Sequence, residues 1–179
     1  MVHSGRLVRL RAIERAELET WRGWINRPDV MEGMDRAVRP SAEEHRRYVE
    51  TATASECALF LGIEPLEAPR LVGVVWLWAL DRRHRRAEVR IAIGEPAARG
   101  RGYGTDALRT LAAHAFGALG LRKLYAYVHA PNAASRLAFE SAGFRLEATL
   151  EREALRDGLA VDVHRLVRFA GDGEPLPNH

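Results

Sequence analysis

A short segment past mid-chain, Arg99-Gly100-Arg101-Gly102-Tyr103-Gly104-Thr105, combines three glycines with two guanidiniums. Glycine lets a backbone approach a ligand closely and adopt positive φ. Amides in such a turn converge, and the start of a following helix adds partial positive charge, so the segment is suited to an anion such as phosphate. Arg99 or Arg101 could add a charge-assisted contact. Three other readings compete. A P-loop needs a lysine after its last glycine, and none stands here. A dinucleotide fingerprint needs Gly-x-Gly-x-x-Gly near the first strand of a βαβ unit, whereas here the third glycine comes one residue early and the segment lies past mid-chain. A glycine-rich turn with no ligand stays open on the glycines alone.

The elements on either side must position that turn. Ala87 to Gly94 reads as a strand before it. Gly104 to about Leu119 reads as a helix after it, with apolar Leu108, Leu111, Ala112, Ala115, Phe116 and Leu119 spaced three and four apart and Gly120 as the C′ residue. Upstream, Leu7 to Arg11 alternates like a half-buried strand. Glu14 to Asn26 carries a helical stripe, Leu18, Trp21, Trp24 and Ile25, ended by Arg27-Pro28-Asp29. A polar loop is expected from there to Pro40. Ser41-Ala-Glu-Glu44 reads as a capping box opening a helix to about Thr53. Cys57 to Glu64 and Leu71 to Leu80 read as strands around a Pro-rich turn. Downstream, Leu121 to Ala130 is a strand, Pro131-Asn132 opens a helix stopping at Gly143, and Phe144 to Leu155 pairs with Leu159 to Phe169 around Arg156-Asp157-Gly158. The expected fold is a mixed α/β sheet with helices on both faces.

Composition narrows the classes. The chain has 179 residues, 47% of them apolar, which fits a single domain over residues 1–170. The Gly- and Pro-rich end, 171–179, is expected to be a disordered tail. No window approaches 18 consecutive apolar residues, and Met1 to Arg6 lack a signal-peptide core, so a soluble cytoplasmic protein without membrane contact is expected. The lone cysteine, Cys57, cannot form an internal disulfide and reads as a small apolar residue. Of the 27 basic residues only Lys123 is lysine, and the net charge of +3 is scattered rather than blocked. That charge helps steer a polyanion, but no motif or aromatic-basic ladder points to specific nucleic-acid binding.

Arg99-x-x-Gly102-x-Gly104, placed after a strand, resembles the pyrophosphate loop of the GNAT acyltransferase superfamily, which reads Gln/Arg-x-x-Gly-x-Gly/Ala. Asn132-Ala-Ala-Ser135-Arg-Leu-Ala-Phe139-Glu-Ser-Ala-Gly143-Phe144 resembles the superfamily's second signature, an Asn-led helix ending in Gly-Phe. The order of elements matches over about residues 7 to 169. Within the superfamily, Asn132-x-x-Ser135 and the opening Leu7 to Leu10 look most like ribosomal-protein N-terminal acetyltransferases. His84-Arg-Arg-Ala-Glu88 is also similar to a stretch of spermidine acetyltransferases.

The resemblance implies a mostly antiparallel sheet splayed between two parallel strands, with acetyl-CoA as cosubstrate and no metal. Pantetheine would lie in the splay, bonded to backbone at Ile91, Ala92 and Ile93. Arg99, Gly100, Arg101, Gly102, Tyr103, Gly104 and Thr105 would hold the pyrophosphate. Glu88, at the start of the splayed strand, is the first candidate for the base that neutralises an amine, ahead of His84 and His129; a solvated glutamate paired with arginine is its plain alternative. Many relatives place a tyrosine acid four residues before the helix-ending glycine, and that position here is Phe139, which has no proton to donate. Ser135, one turn earlier on the same helix face, could hydrogen-bond the sulfur or could bond only backbone. Asn132 caps its helix and could also touch the cosubstrate.

The acceptor is read from charge. Arg27 to Glu50 holds six acids and five arginines, whereas a polyamine pocket calls for a larger acidic excess. The leading expectation is therefore transfer to a protein or peptide N-terminus. The alternatives are a small-amine acetyltransferase and a non-catalytic acyl-CoA-binding protein, the last supported by Phe139. A homodimer is the common assembly among such relatives.

Overall fold

A computed structural model describes residues 2–33, 39–156 and 158–171. Eight strands form one sheet in the order β1-β2-β3-β4-β5-β6-β8-β7. They are β1 (Val2–Ser4), β2 (Val8–Arg11), β3 (Leu59–Pro65), β4 (Gly73–Asp81), β5 (Arg86–Ile93), β6 (Lys123–His129), β7 (Arg145–Arg156) and β8 (Leu159–Phe169). Every neighbouring pair is antiparallel except β5 and β6. The mixed, mostly antiparallel sheet with flanking helices is the expected fold.

Two cores lie on opposite faces. On one, α4 (Tyr103–Gly117) lays its expected stripe, Leu108, Leu111, Ala112 and Ala115, against Val8, Leu10, Leu61, Ala87 and Leu124, and α5 (Ala133–Ser141) adds Phe139. On the other, α1 (Glu17–Ile25) and α3 (Ala42–Ala54) pack Trp21, Trp24, Ile25 and Ala52 over Phe60, Val74 and Trp76. The period-two alternation of β5 divides that strand between them: Ala87 and Val89 join the first core and Ala92 the second. The Ser41 capping box forms as expected, with Ser41 accepting from the Glu44 amide and the Glu44 carboxylate accepting from the Ser41 amide.

Three local expectations need correction. The loop expected from Arg27 to Pro40 contains a helix, α2 (Pro28–Gly33). Pro28 stops α1 but starts α2, because the first helical position needs no N–H donor. β1 gave no periodic signal, since three residues with His3 and Ser4 among them are too few to alternate. Gly120 lies beyond the α4 C-cap, Ala118, as a separate positive-φ residue rather than at C′. Residues 34–38 of the expected loop, Asp157 of the hairpin turn and the expected tail from 172 onward lie outside the described residues.

Candidate active site

β5 and β6 pair only over Arg86↔Lys123, Ala87↔Leu124 and Glu88↔Tyr125. Their outer partners then pull them apart. β5 stays registered on β4 to Gly73↔Ile93, and the Gly94 amide donates to the Val72 carbonyl at 3.0 Å. β6 stays registered on β8 to His129↔Val163. A cavity of about 650 Å³ opens in the resulting wedge. Its walls are Glu88, Val89, Arg90 and Ile91 of β5, Tyr127 and His129 of β6, Ser135 and Phe139 of α5, an aromatic group from α1, α3 and β4, and the β7–β8 hairpin. The expected Glu88, Ile91 and Ser135 thus converge. Ala92 and Ile93 do not line the cavity: Ala92 is buried under α1, and the Ile93 carbonyl accepts from Arg99 Nε at 3.0 Å.

The glycine loop leads directly into α4. Gly100 (φ +71°) and Gly102 (φ +81°) both take the left-handed conformation, and Gly102 is the N-cap of a helix that no side chain caps. A Cβ at Gly102 would lie 3.3 Å from Leu7 Cδ1, and one at Gly104 would lie 3.8 Å from Ile91 Cδ1, so the backbone runs close under the wedge. Uncapped amides at a helix start, reached by bare backbone, fit a pyrophosphate. Thr105 sits in the same first turn.

The two arginines are already engaged. Arg99 Nη1 lies 2.7 Å from Asp29, which Arg27 also pairs at 2.7 Å while donating to the Gly94 carbonyl at 2.9 Å. Arg27 and Arg99 together hold the Asp29 carboxyl below the ordinary range. Arg101 lies 2.7 Å from Glu67 and stands over the Tyr103 ring, whose hydroxyl donates to the same carboxylate. That acceptor, with burial, pushes the Tyr103 hydroxyl up. A phosphate would therefore compete with Asp29 and Glu67 for these guanidiniums.

Asp106 escaped the sequence reading. Its buried carboxylate accepts from the amides of Arg6, Leu7 and Val8 at 3.2, 2.7 and 3.0 Å, which seats Leu7 beside Gly102. The only signal was an acid in a first helical turn, and many exposed acids share it.

At the wedge's vertex, the Glu88 side chain is 12% exposed and receives two bonds from Arg90, at 2.6 and 3.2 Å. Arg90 in turn stands 5.6 Å over the Trp78 ring. Facing Glu88 across the ladder, the Tyr125 hydroxyl is pushed up by burial and by that carboxylate. Asn132 caps α5, its Oδ1 accepting from the Ser135 amide at 3.1 Å. The Ser135 side chain lines the cavity one turn from Phe139, which is buried edge-on against Phe144. His84 is exposed in the β4–β5 turn, away from the cavity, whereas His129 lines it. Cys57 Sγ lies 2.9 Å from Ser55 Oγ at the end of α3 and does not line the cavity. Among the described residues no group of three or more His, Cys, Asp or Glu side chains converges to hold a metal. None of their helices is long and apolar enough to cross a membrane.

Comparison with known proteins fits this geometry. The model of the acetyltransferase (GNAT) domain matches residues 7–145. An uncharacterized N-acetyltransferase of Bacillus subtilis (strain 168), YoaA, is 30% identical over 103 residues, which span 58% of this chain and 58% of that protein. A spermidine N-acetyltransferase from Vibrio cholerae, solved with CoA and spermine, superposes with a TM-score of 0.85 at 25% identity, covering 92% of this chain and 96% of that one. A GNAT-family acetyltransferase from Bacillus anthracis shares the fold at a TM-score of 0.81 and 17% identity, covering 96% and 100%.

Proposed function

The chain belongs to the GNAT acetyltransferase family, and from that premise we propose that it transfers the acetyl group of acetyl-CoA directly to a small primary amine. The observation that carries the proposal is the wedge. It carries a carboxylate, Glu88, at its vertex, and the uncapped start of α4, with two left-handed glycines before it, comes against the Ile91 side chain on its β5 wall. The amides at the start of α4 would hold the pyrophosphate. Ile91 backbone, in the half of β5 that β6 no longer pairs, would meet the pantetheine amides and offer an N–H to the acyl oxygen as it gains charge.

The amine must be neutral to attack, and a free alkylamine is almost wholly protonated near pH 7. Glu88, kept from bulk water and paired with Arg90, takes the amine proton directly or through a water. The C–N bond forms as the C–S bond breaks, and the thiolate collects a proton. Thiolates leave tolerably unassisted, given a thiol pKa of about 8.5. Ser135 supplies a hydrogen bond to the sulfur where Phe139 cannot.

The small-amine reading replaces the N-terminus as the leading one. It is supported by the 25% identity and near-complete overlap with an enzyme described as a spermidine N-acetyltransferase. A cavity of about 650 Å³ also suits a small molecule. The likeness to ribosomal-protein acetyltransferases rests on a few residues around Leu7 and Asn132. The test is thiol release from acetyl-CoA with small amines in one arm and peptides bearing free N-termini in the other. Release with small amines supports the proposal, and release with peptides alone reverses it. Acetyl-CoA binding without release in either arm supports the non-catalytic alternative.

A further inference from the structure

We infer that the acceptor is a monoamine with a flat apolar body, not a linear polycation; the inference rests on the acetyl-transfer reading above. Among the described residues, the cavity's carboxylates are Glu88 and Glu153, and its guanidinium is Arg90. Arg90 grips Glu88 through two bonds, so that pair presents no net charge to an acceptor. Among the described lining residues Glu153 remains, one carboxylate for one ammonium.

Glu153 reaches the cavity through a backbone irregularity. β7 slips against β8 between Leu150 and Ala154, and Arg152 takes φ +52° within the slip. That conformation is unfavourable for a side chain larger than glycine. It is held by the Asp162 carboxylate, which accepts from the Arg152 amide at 2.8 Å. Such a bulge re-aims side chains, and here Leu150, Glu153 and Ala154 all line the cavity. Opposite the hairpin the wall is aromatic. Tyr48 and Trp78 stack at 5.4 Å and 27°, and Arg90 lies over the Trp78 ring. A second or third ammonium would find no further carboxylate among the described lining residues, and the Trp78 ring, which could otherwise attract a cation, already carries Arg90. A ring would instead extend the existing stack, an arrangement favourable for aromatic groups.

The test is steady-state thiol release from acetyl-CoA by the full chain with 2-phenylethylamine, hexylamine and spermidine, alongside acetyl-CoA binding by calorimetry. The expected order of kcat/KM is phenylethylamine, then hexylamine, then spermidine, with at least about tenfold between the first and last. Trp78→Ala should shrink the phenylethylamine-to-hexylamine ratio about fivefold, and Trp78→Phe should restore it. Tyr48→Ala serves if the first variant does not fold. Glu153→Gln should raise KM for phenylethylamine more than it lowers kcat. Preference for spermidine, or a ratio unmoved in the folded Trp78 or Tyr48 variant, overturns this inference and leaves acetyl transfer standing. Acetyl-CoA binding with no thiol release by any of the three amines overturns both.

Discussion

Gly102 is the residue on which the cosubstrate assignment is most exposed. Its φ of +81° and the nearby Leu7 methyl leave little room for a side chain, and a carboxylate there would face phosphate. Gly102→Glu should weaken acetyl-CoA binding about a hundredfold by calorimetry. Gly102→Ala carries the strain without the charge and should weaken it far less. At the vertex, Glu88→Gln should lower kcat about a hundredfold near neutral pH with acetyl-CoA affinity unchanged. Without a base the rate follows the fraction of amine already neutral, so the deficit should narrow as pH rises; a deficit constant across pH would assign the base elsewhere. Residue types and spacing made the loop and the Asn132 cap legible, because glycine and Asn at those positions have backbone reasons to be there. They could not show that Arg99 and Arg101 are held by Asp29 and Glu67, partners 70 and 34 positions away in the chain.

Elements place these residues, and α4 is the one that connects most of them. Its stripe was legible because 3.6-residue periodicity is local. The Asp106 clamp on the Arg6–Val8 backbone was not, because it joins a helix to a turn about a hundred residues earlier. Asp106→Asn keeps one acceptor oxygen for three amides. It should cost about 2 kcal/mol and lower Tm by roughly 4–8 °C, as scanning calorimetry would show. α2 was hidden for another reason: proline is read as a stop, while here it ends one helix and begins the next. The wedge was foreseen only through resemblance. No pattern within β5 says where a parallel ladder stops, since that depends on what β4 and β8 hold.

For the molecule as a whole, stability should depend on pH in two windows. His114 is buried against His3, their ring centroids 3.9 Å apart, and desolvation with that neighbour lowers its pKa in the folded state. The unfolded chain then binds more protons as pH falls through about 6.5, so Tm should drop as pH falls below that value, and His114→Gln should flatten that step. The second window is acidic. Burial pushes the Glu64 carboxyl up, but Arg11 and Arg9 outweigh it and leave it lowered, and Arg11 also lowers Glu17. Their contribution is complete above the unfolded carboxyl pKa of about 4.3 and is lost as pH falls below it. Beyond these windows, the parting of β5 from β6 gives the protein a strand edge in its interior. Such an edge ordinarily invites another chain, but this one lies inside a wedge lined by α5, the β7–β8 hairpin and an aromatic group. A thread carrying two amide groups could complete the ladder there, as a partial ninth strand supplied from solution. Filling the wedge with acetyl-CoA should then slow hydrogen exchange at those backbone amides between Val89 and Ile93 that face the wedge rather than β4. At a hundred times its Kd, ligand should also stabilise the fold by about 2.7 kcal/mol. On the proposed reading, the sheet would be finished only when the cosubstrate is bound.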